Sequence, residues 1–139
     1  MSDAGGATTD YDYESRDLQP GDPLPRELGW LRDRCAELAG IHSSELVQAL
    51  VTRYPAGAGI GWHRDAPMFG SKVIGISLLS PCRMRFQWRT GDSRQLYALE
   101  LEPRSGYVLA GSARWAWQHS IPPTKALRYS ITFRSLRRH

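Results

Sequence analysis

A chain of 139 residues with 41% hydrophobic and 23% charged residues has the size and mix of one globular domain. It can bury a core without disulfides or a structural metal. Its formal charge of +4 leaves a nucleic-acid partner open without requiring one. No apolar run reaches membrane-spanning length and no secretory leader is visible, so the expectation is a cytoplasmic, monomeric protein with no membrane association.

In chain order, residues 1–22 are polar and rich in turn formers, and are expected to form a flexible segment ahead of a single domain over 23–139. Within them "DYDYESRDL" alternates weakly, as an edge strand would. Leu24, Leu28, Leu31, Cys35 and Leu38 then recur at helical spacing. Pro23 and Pro25 suit the start of that helix and Gly40 its stop, which predicts a helix over 24–39. Cys35 falls on its apolar stripe, and Cys82 forms no metal or disulfide spacing with it, which suits a reducing compartment. "SSELVQ" reads as a short helical turn capped by Ser43 or Ser44.

From Ala49 onward the period changes to two. Strands are expected at 49–54, 72–79, 83–88, 95–102, 106–111, 114–121 and 127–134, with turns at "PAGAGIG" and "GDS". Trp115 and Trp117 then share one buried face of their strand. Short strands at this spacing after one helix predict a mainly β fold, a sandwich or barrel of the jelly-roll kind. The strand "RMRFQW" alternates cations with apolar residues, and "RSLRRH" is the densest basic cluster.

The stretch "GIGWHRDAP" carries the first chemical signal. If Trp62–Asp65 borders a strand, His63 and Asp65 leave one face together while Arg64 points away. An imidazole and a carboxylate so placed are two neighbouring metal ligands. A second histidine would complete a two-histidine, one-carboxylate facial set, which leaves open positions on Fe(II). The candidates are His42, His119 and His139. His139 is the last residue, and His42 follows a helix C-terminus, where an imidazole commonly serves the helix dipole. His119, in the strand-like "WQHSI", is the preferred third ligand. A lone H-x-D is frequent by chance and establishes nothing by itself.

The second signal is "LRYSITFR". On a strand, Arg128, Ser130, Thr132 and Arg134 share one face, and Leu127, Tyr129, Ile131 and Phe133 the other. The second set is ordinary core. The first set, if it lines a barrel, needs anions for two cations, since burying an unpaired charge is very costly. A short dicarboxylate between two arginine forks would meet that need.

Taken in order and spacing, "VTRYPAGAGIGWHRDAP", "IGISLLSPCRMRF", "LEPRSGYVLAGSARWAWQHSI" and "RYSITFR" resemble the AlkB-like Fe(II)- and 2-oxoglutarate-dependent dioxygenases over residues 49–135. The resemblance implies a double-stranded β-helix, or jelly roll, with the N-terminal helix packed outside. It implies His63, Asp65 and His119 as iron ligands, with 2-oxoglutarate and O2 as cosubstrates. By the same resemblance Arg128 binds the far carboxylate of 2-oxoglutarate, Arg134 contacts Asp65 and the other carboxylate, and Tyr54 hydrogen-bonds the cosubstrate. Ser130 stands where the family has Asn or Ser, and Thr52 where DNA-repair members usually have Asn. Those members place an acidic residue two positions after the iron-binding Asp, where this chain has Pro67.

The resemblance implies oxidative demethylation of an alkylated nucleic acid base, on a single strand for preference, as repair or RNA modification. A base must be extruded and sandwiched to reach the iron, and His63, Trp62, Met68 and Phe69 are candidate walls. Pro67 favours the alternative of the same chemistry on a protein side chain or small molecule. A non-catalytic, shortened binding domain is the third reading.

Overall fold

The computed structural model describes residues 26–137. The segment 1–22, the expected edge strand in it, Leu24 and His139 lie outside the described residues. A 3-10 turn, Arg26–Leu28, leads into helix α1, Gly29–Ala39, and a second such turn spans Ser43–Glu45. Eight strands follow: β1 Gln48–Tyr54, β2 Ile60–His63, β3 Phe69–Leu78, β4 Cys82–Thr90, β5 Ser93–Leu101, β6 Ser105–Leu109, β7 Gln118–Ile121 and β8 Arg128–Leu136. A short helix α2, Gly111–Trp115, lies between β6 and β7.

The strands form two four-stranded sheets, ordered β1-β8-β3-β6 and β2-β7-β4-β5, and every pairing is antiparallel. This is the jelly roll that the strand pattern and the resemblance implied. β3 and β8 run through the middle of the first sheet and are buried on both faces. On the outside, Ile74, Ile131 and Phe133 meet Cys35, Ala36 and Ala39 of α1. Between the sheets, Val73 and Leu109 meet Cys82, Met84, Phe86, Leu101 and Ile121. Each of the buried Val, Leu, Ile, Phe and Met side chains contributes about 1.5–3 kcal/mol on burial.

Several sequence expectations are corrected. The α-helix begins at Gly29, after a 3-10 turn, and Gly40 stops it in the left-handed conformation at φ 69°. Leu38 is 56% exposed. The buried stripe runs through Cys35, Ala36 and Ala39 instead, because small residues let the helix approach the sheet closely. The cap of the Ser43–Glu45 turn is His42, not a serine: its Nδ1 accepts the Ser44 N–H at 3.3 Å, and the Glu45 carboxylate accepts the His42 N–H at 3.2 Å. β2 is an additional strand, and it ends at His63, so Asp65 lies beyond it in the following turn. Residues 114–121 are not one strand. Arg114 and Trp115 finish α2 and only Gln118–Ile121 is extended. Trp115 is therefore 40% exposed while Trp117 packs on the inner core.

Candidate active site

The register of the sheets explains how distant residues meet. In the first sheet Tyr54 of β1 lies opposite Arg128 of β8, Thr52 opposite Ser130, and Gln48 opposite Arg134. In the second sheet His63 of β2 lies opposite His119 of β7. Alternation sends these side chains inward. All of them except Gln48, which lies behind Arg134, line one cavity of about 120 Å3, together with Asp65, Thr132, Met84 and Tyr107.

At one end of this cavity are His63, Asp65 and His119. Their nearest ligand-type atoms all lie within 4.8 Å of one another. The two imidazole centroids are 4.2 Å apart. His63 Nδ1 is hydrogen-bonded to the Gly61 carbonyl oxygen at 2.9 Å, which fixes the ring and turns Nε2 to the cluster. Asp65 Oδ1 lies 3.4 Å from His119 Nε2, and Arg134 Nε donates to Asp65 Oδ2 at 2.8 Å. Arg134 Nη1 also donates to Gln48 Oε1 at 3.2 Å. Burial alone would raise the Asp65 carboxyl, but His119 and the Arg134 guanidinium outweigh it and hold it well below the usual carboxylate range. Burial, and then the neighbouring His119, push the His63 imidazole down. One ionised carboxylate and one neutral imidazole are the forms a divalent cation takes as ligands. Two nitrogens and one oxygen on one side of the cavity fit Fe(II) with positions left open.

Deeper in the cavity lies Arg128, with 1% of its surface exposed. Its Nε donates to Ser77 Oγ at 3.0 Å, and its guanidinium carbon lies 5.0 Å from the Tyr54 ring centroid. Among the described residues no carboxylate forms an ion pair with it. A fully buried guanidinium without an anion is costly, so this end of the cavity is built to receive one. Burial pushes the Tyr54 hydroxyl up, which keeps it a neutral donor.

The cavity thus gathers His63, Asp65, His119, Tyr54, Arg128, Ser130 and Arg134, along with Thr52. His42 stands apart as a turn cap. Trp62 and Phe69 do not line the cavity. Phe69 is fully buried beneath Arg134 at 4.7 Å, and Trp62 emerges on the opposite side of its sheet.

Sequence reasoning missed two residues. Gln48 fixes the second arm of Arg134, as above. Arg114, 2% exposed, donates to the carbonyl oxygens of Asp65, Ala66, Phe69 and Gly70 at 2.9–3.2 Å. One guanidinium therefore shapes the turn that carries Asp65. The signal was a lone cation inside the apolar "ARWAW".

Fold and cavity together define a jelly-roll oxygenase with a two-histidine, one-carboxylate metal centre. The profile of the 2OG-Fe(II) oxygenase superfamily matches residues 1–134, and this chain belongs to that superfamily as an AlkB-like member, while spanning little more than a third of the first of the curated relatives it matches. The chain is 34% identical over 128 residues to the alkylated DNA repair protein ALKBH8 homolog of Arabidopsis thaliana, covering 72% of this chain and 37% of that protein. It is 30% identical over 146 residues to the alpha-ketoglutarate-dependent dioxygenase AlkB of Salmonella typhimurium, covering 93% of this chain and 66% of that protein. The solved structure of OsALKBH1 superposes with a TM-score of 0.60 at 16% identity, over 86% of this chain and 67% of that one, and shares the fold.

Proposed function

We propose that this dioxygenase removes N-alkyl groups from nucleic acid bases, with His63, Asp65 and His119 as iron ligands and Arg128 as the anchor of 2-oxoglutarate. The observation that carries the assignment of roles is a buried Arg128, with no carboxylate partner among the described residues, in the same cavity as the His63, Asp65 and His119 cluster. Iron and 2-oxoglutarate, when bound, supply the oxidising chemistry: O2 puts one oxygen atom into succinate, with release of CO2, and one into a substrate C–H bond. An N-hydroxymethyl product then sheds formaldehyde and leaves the bare base nitrogen.

This chain's residues bind, orient and exclude. Arg128 meets the far carboxylate of 2-oxoglutarate with a guanidinium already positioned by Ser77 and Tyr54. Tyr54 donates its hydroxyl proton as a hydrogen bond, and Ser130 and Thr52 supply further polar wall. Arg134 holds Asp65 and faces the near carboxylate. Val73, Met84, Leu109 and Ile121 keep water out of the remaining space, which protects the reaction from side chemistry.

The nucleic-acid assignment is supported by the likeness to the Arabidopsis relative, an alkylated DNA repair protein by name, and by the chain's basic character. Pro67, two residues after Asp65, supports a protein side chain or small molecule instead. The test is succinate and formaldehyde release from 2-oxoglutarate and Fe(II), with and without a methylated single-stranded oligonucleotide, beside His63→Ala. Oligonucleotide-stimulated turnover, lost in His63→Ala, is expected. Turnover indifferent to every methylated oligonucleotide and nucleotide would transfer the assignment to proteins and small molecules.

A further inference from the structure

The outer face of the second sheet carries a row of cations that the cavity does not use. Along β4, Met84 and Phe86 are buried, so Arg83, Arg85 and Arg89 leave on the other side. The register sets Glu100 opposite Arg83, Ala98 opposite Arg85 and Arg94 opposite Arg89. Glu100 is taken by Arg83 at 2.7 Å. Arg85, Arg89 and Arg94 have no carboxylate partner among the described residues. Asp92 stands in the turn between them. Two arginines directly opposite each other repel, so the sheet keeps this pair at an energetic cost.

Trp62 of β2 lies in the same face. The Arg85 and Arg94 guanidinium carbons lie over its ring, 5.1 and 5.6 Å from the centroid. Arg94 Nε donates to Gln87 Oε1 at 2.8 Å, and Gln87 Nε2 donates to Gln118 Oε1 at 2.7 Å. This relay across three strands fixes Arg94 before any partner arrives. The result is a depression of about 240 Å3 that Leu96 and Tyr97 close on the β5 side. Leu96 and Tyr97 are each 61% exposed.

We infer that this face binds the backbone of a single-stranded nucleic acid and holds the substrate strand beside its reacting stretch. The inference rests on the nucleic-acid reading above and adds a second contact surface to it. Charge complementarity selects a polyanion. The flat indole and guanidinium planes select one with bases to stack, whereas an acidic peptide would leave them unused. Trp62 immediately precedes His63, and β2 is the edge of its sheet. Only one strand therefore separates the bound backbone from the side on which the metal cluster lies.

The test uses the full chain with a methylated single-stranded 15-mer and a methylated trinucleotide. Binding is read by fluorescence anisotropy across a salt series, and turnover by formaldehyde release. The Arg85→Gln/Arg94→Gln pair is expected to weaken 15-mer binding at least tenfold at low salt. It should also lower the slope of log K against log salt by about 1.4, the value for two lost phosphate contacts on a single strand. KM for the 15-mer should rise while KM for the trinucleotide stays put. Trp62→Phe should bind better than Trp62→Ala. Wild-type affinity and salt slope in the double variant, with an unchanged melting temperature, would overturn the inference. So would a wild-type protein that binds no 15-mer at low salt, or a polyglutamate peptide that competes for the same arginines with equal affinity. Trinucleotide demethylation would in those cases still uphold the proposed function. Binding through Arg85 and Arg94 without any formaldehyde release would do the reverse.

Discussion

Asp65 is where opposing demands meet. Its carboxylate is buried, which is unfavourable, and is held ionised by Arg134 and His119. Removing the cation leaves a buried charge alone, so Arg134→Met should cost about 3–5 kcal/mol in urea unfolding of the metal-free protein. Arg134→Lys should not restore it, because one ammonium cannot reach both Asp65 and Gln48 as the fork does. Equal stability of the Lys variant and wild type would refute the double role. The same residues set a pH dependence. The folded His63 pKa lies below the ordinary 6.5, so the unfolded chain takes that proton first and stability falls once pH drops below 6.5. Asp65, depressed when folded, stabilises above the ordinary carboxylate pKa and loses this contribution as pH falls through its lower folded value. Metal-free melting temperatures should therefore decline steadily from pH 6.5 to 4. A flat profile over that range would count against the His63 shift, and the Asp65 shift is read from the further loss below the ordinary carboxylate pKa.

At the scale of elements, α2 owes its importance to one side chain. Arg114 satisfies four carbonyls of the segment 65–70, so Arg114→Met should orphan them together, at a cost of about 3 kcal/mol or more. It touches none of the ligand atoms and acts as a positioning residue through the turn. Calorimetric titration should show Mn(II) or Co(II) affinity lowered about tenfold, with no rescue by Arg114→Lys. Unchanged metal affinity in a folded Arg114→Met variant would limit the residue to stability. None of this was legible beforehand, because "RWAWQHSI" alternates as a strand does and the helical turn of 111–115 is too short to show a period. The chemistry was easier to read than the elements. H-x-D and R-x-S-x-T-F-R depend on side-chain identity at fixed spacing, which the β8 ladders kept for the second motif and the Arg114-held segment kept for Asp65. His42 as a cap, Leu38 at the surface and Trp62 on the outer face depend on which side of an element meets a neighbour. A single sequence does not state that.

Across the whole molecule, the first sheet is covered on both faces, by α1 outside and the second sheet inside. Its packing tolerance is correspondingly low. A Cβ on Gly75 of β3 would enter the ring of Tyr107, which lines the cavity. Gly75→Ala is expected to destabilise by about 1–3 kcal/mol. It should also raise the KM for 2-oxoglutarate as that ring is forced aside. Gly29→Ala, where nothing lies within 4 Å, serves as the neutral control. Equal KM values for the two variants would show that the ring moves away from the cavity.

The pairing of His63 with His119 has a mechanical meaning as well. β2 is four residues long, forms the edge of its sheet, and is joined to β7 through an irregular register between Ile60 and His63. A cation gripped by His63, Asp65 and His119 would rivet that lightly held edge to its neighbour. Saturation at a hundred times Kd adds about 2.7 kcal/mol to global stability. The local signature should be sharper, since amide hydrogens of residues 60–65 exchange through opening of the edge alone. Chelation should speed exchange there first while β3 and β8 stay protected. In this protein, then, loading the metal would lock the last strand of the sheet in place.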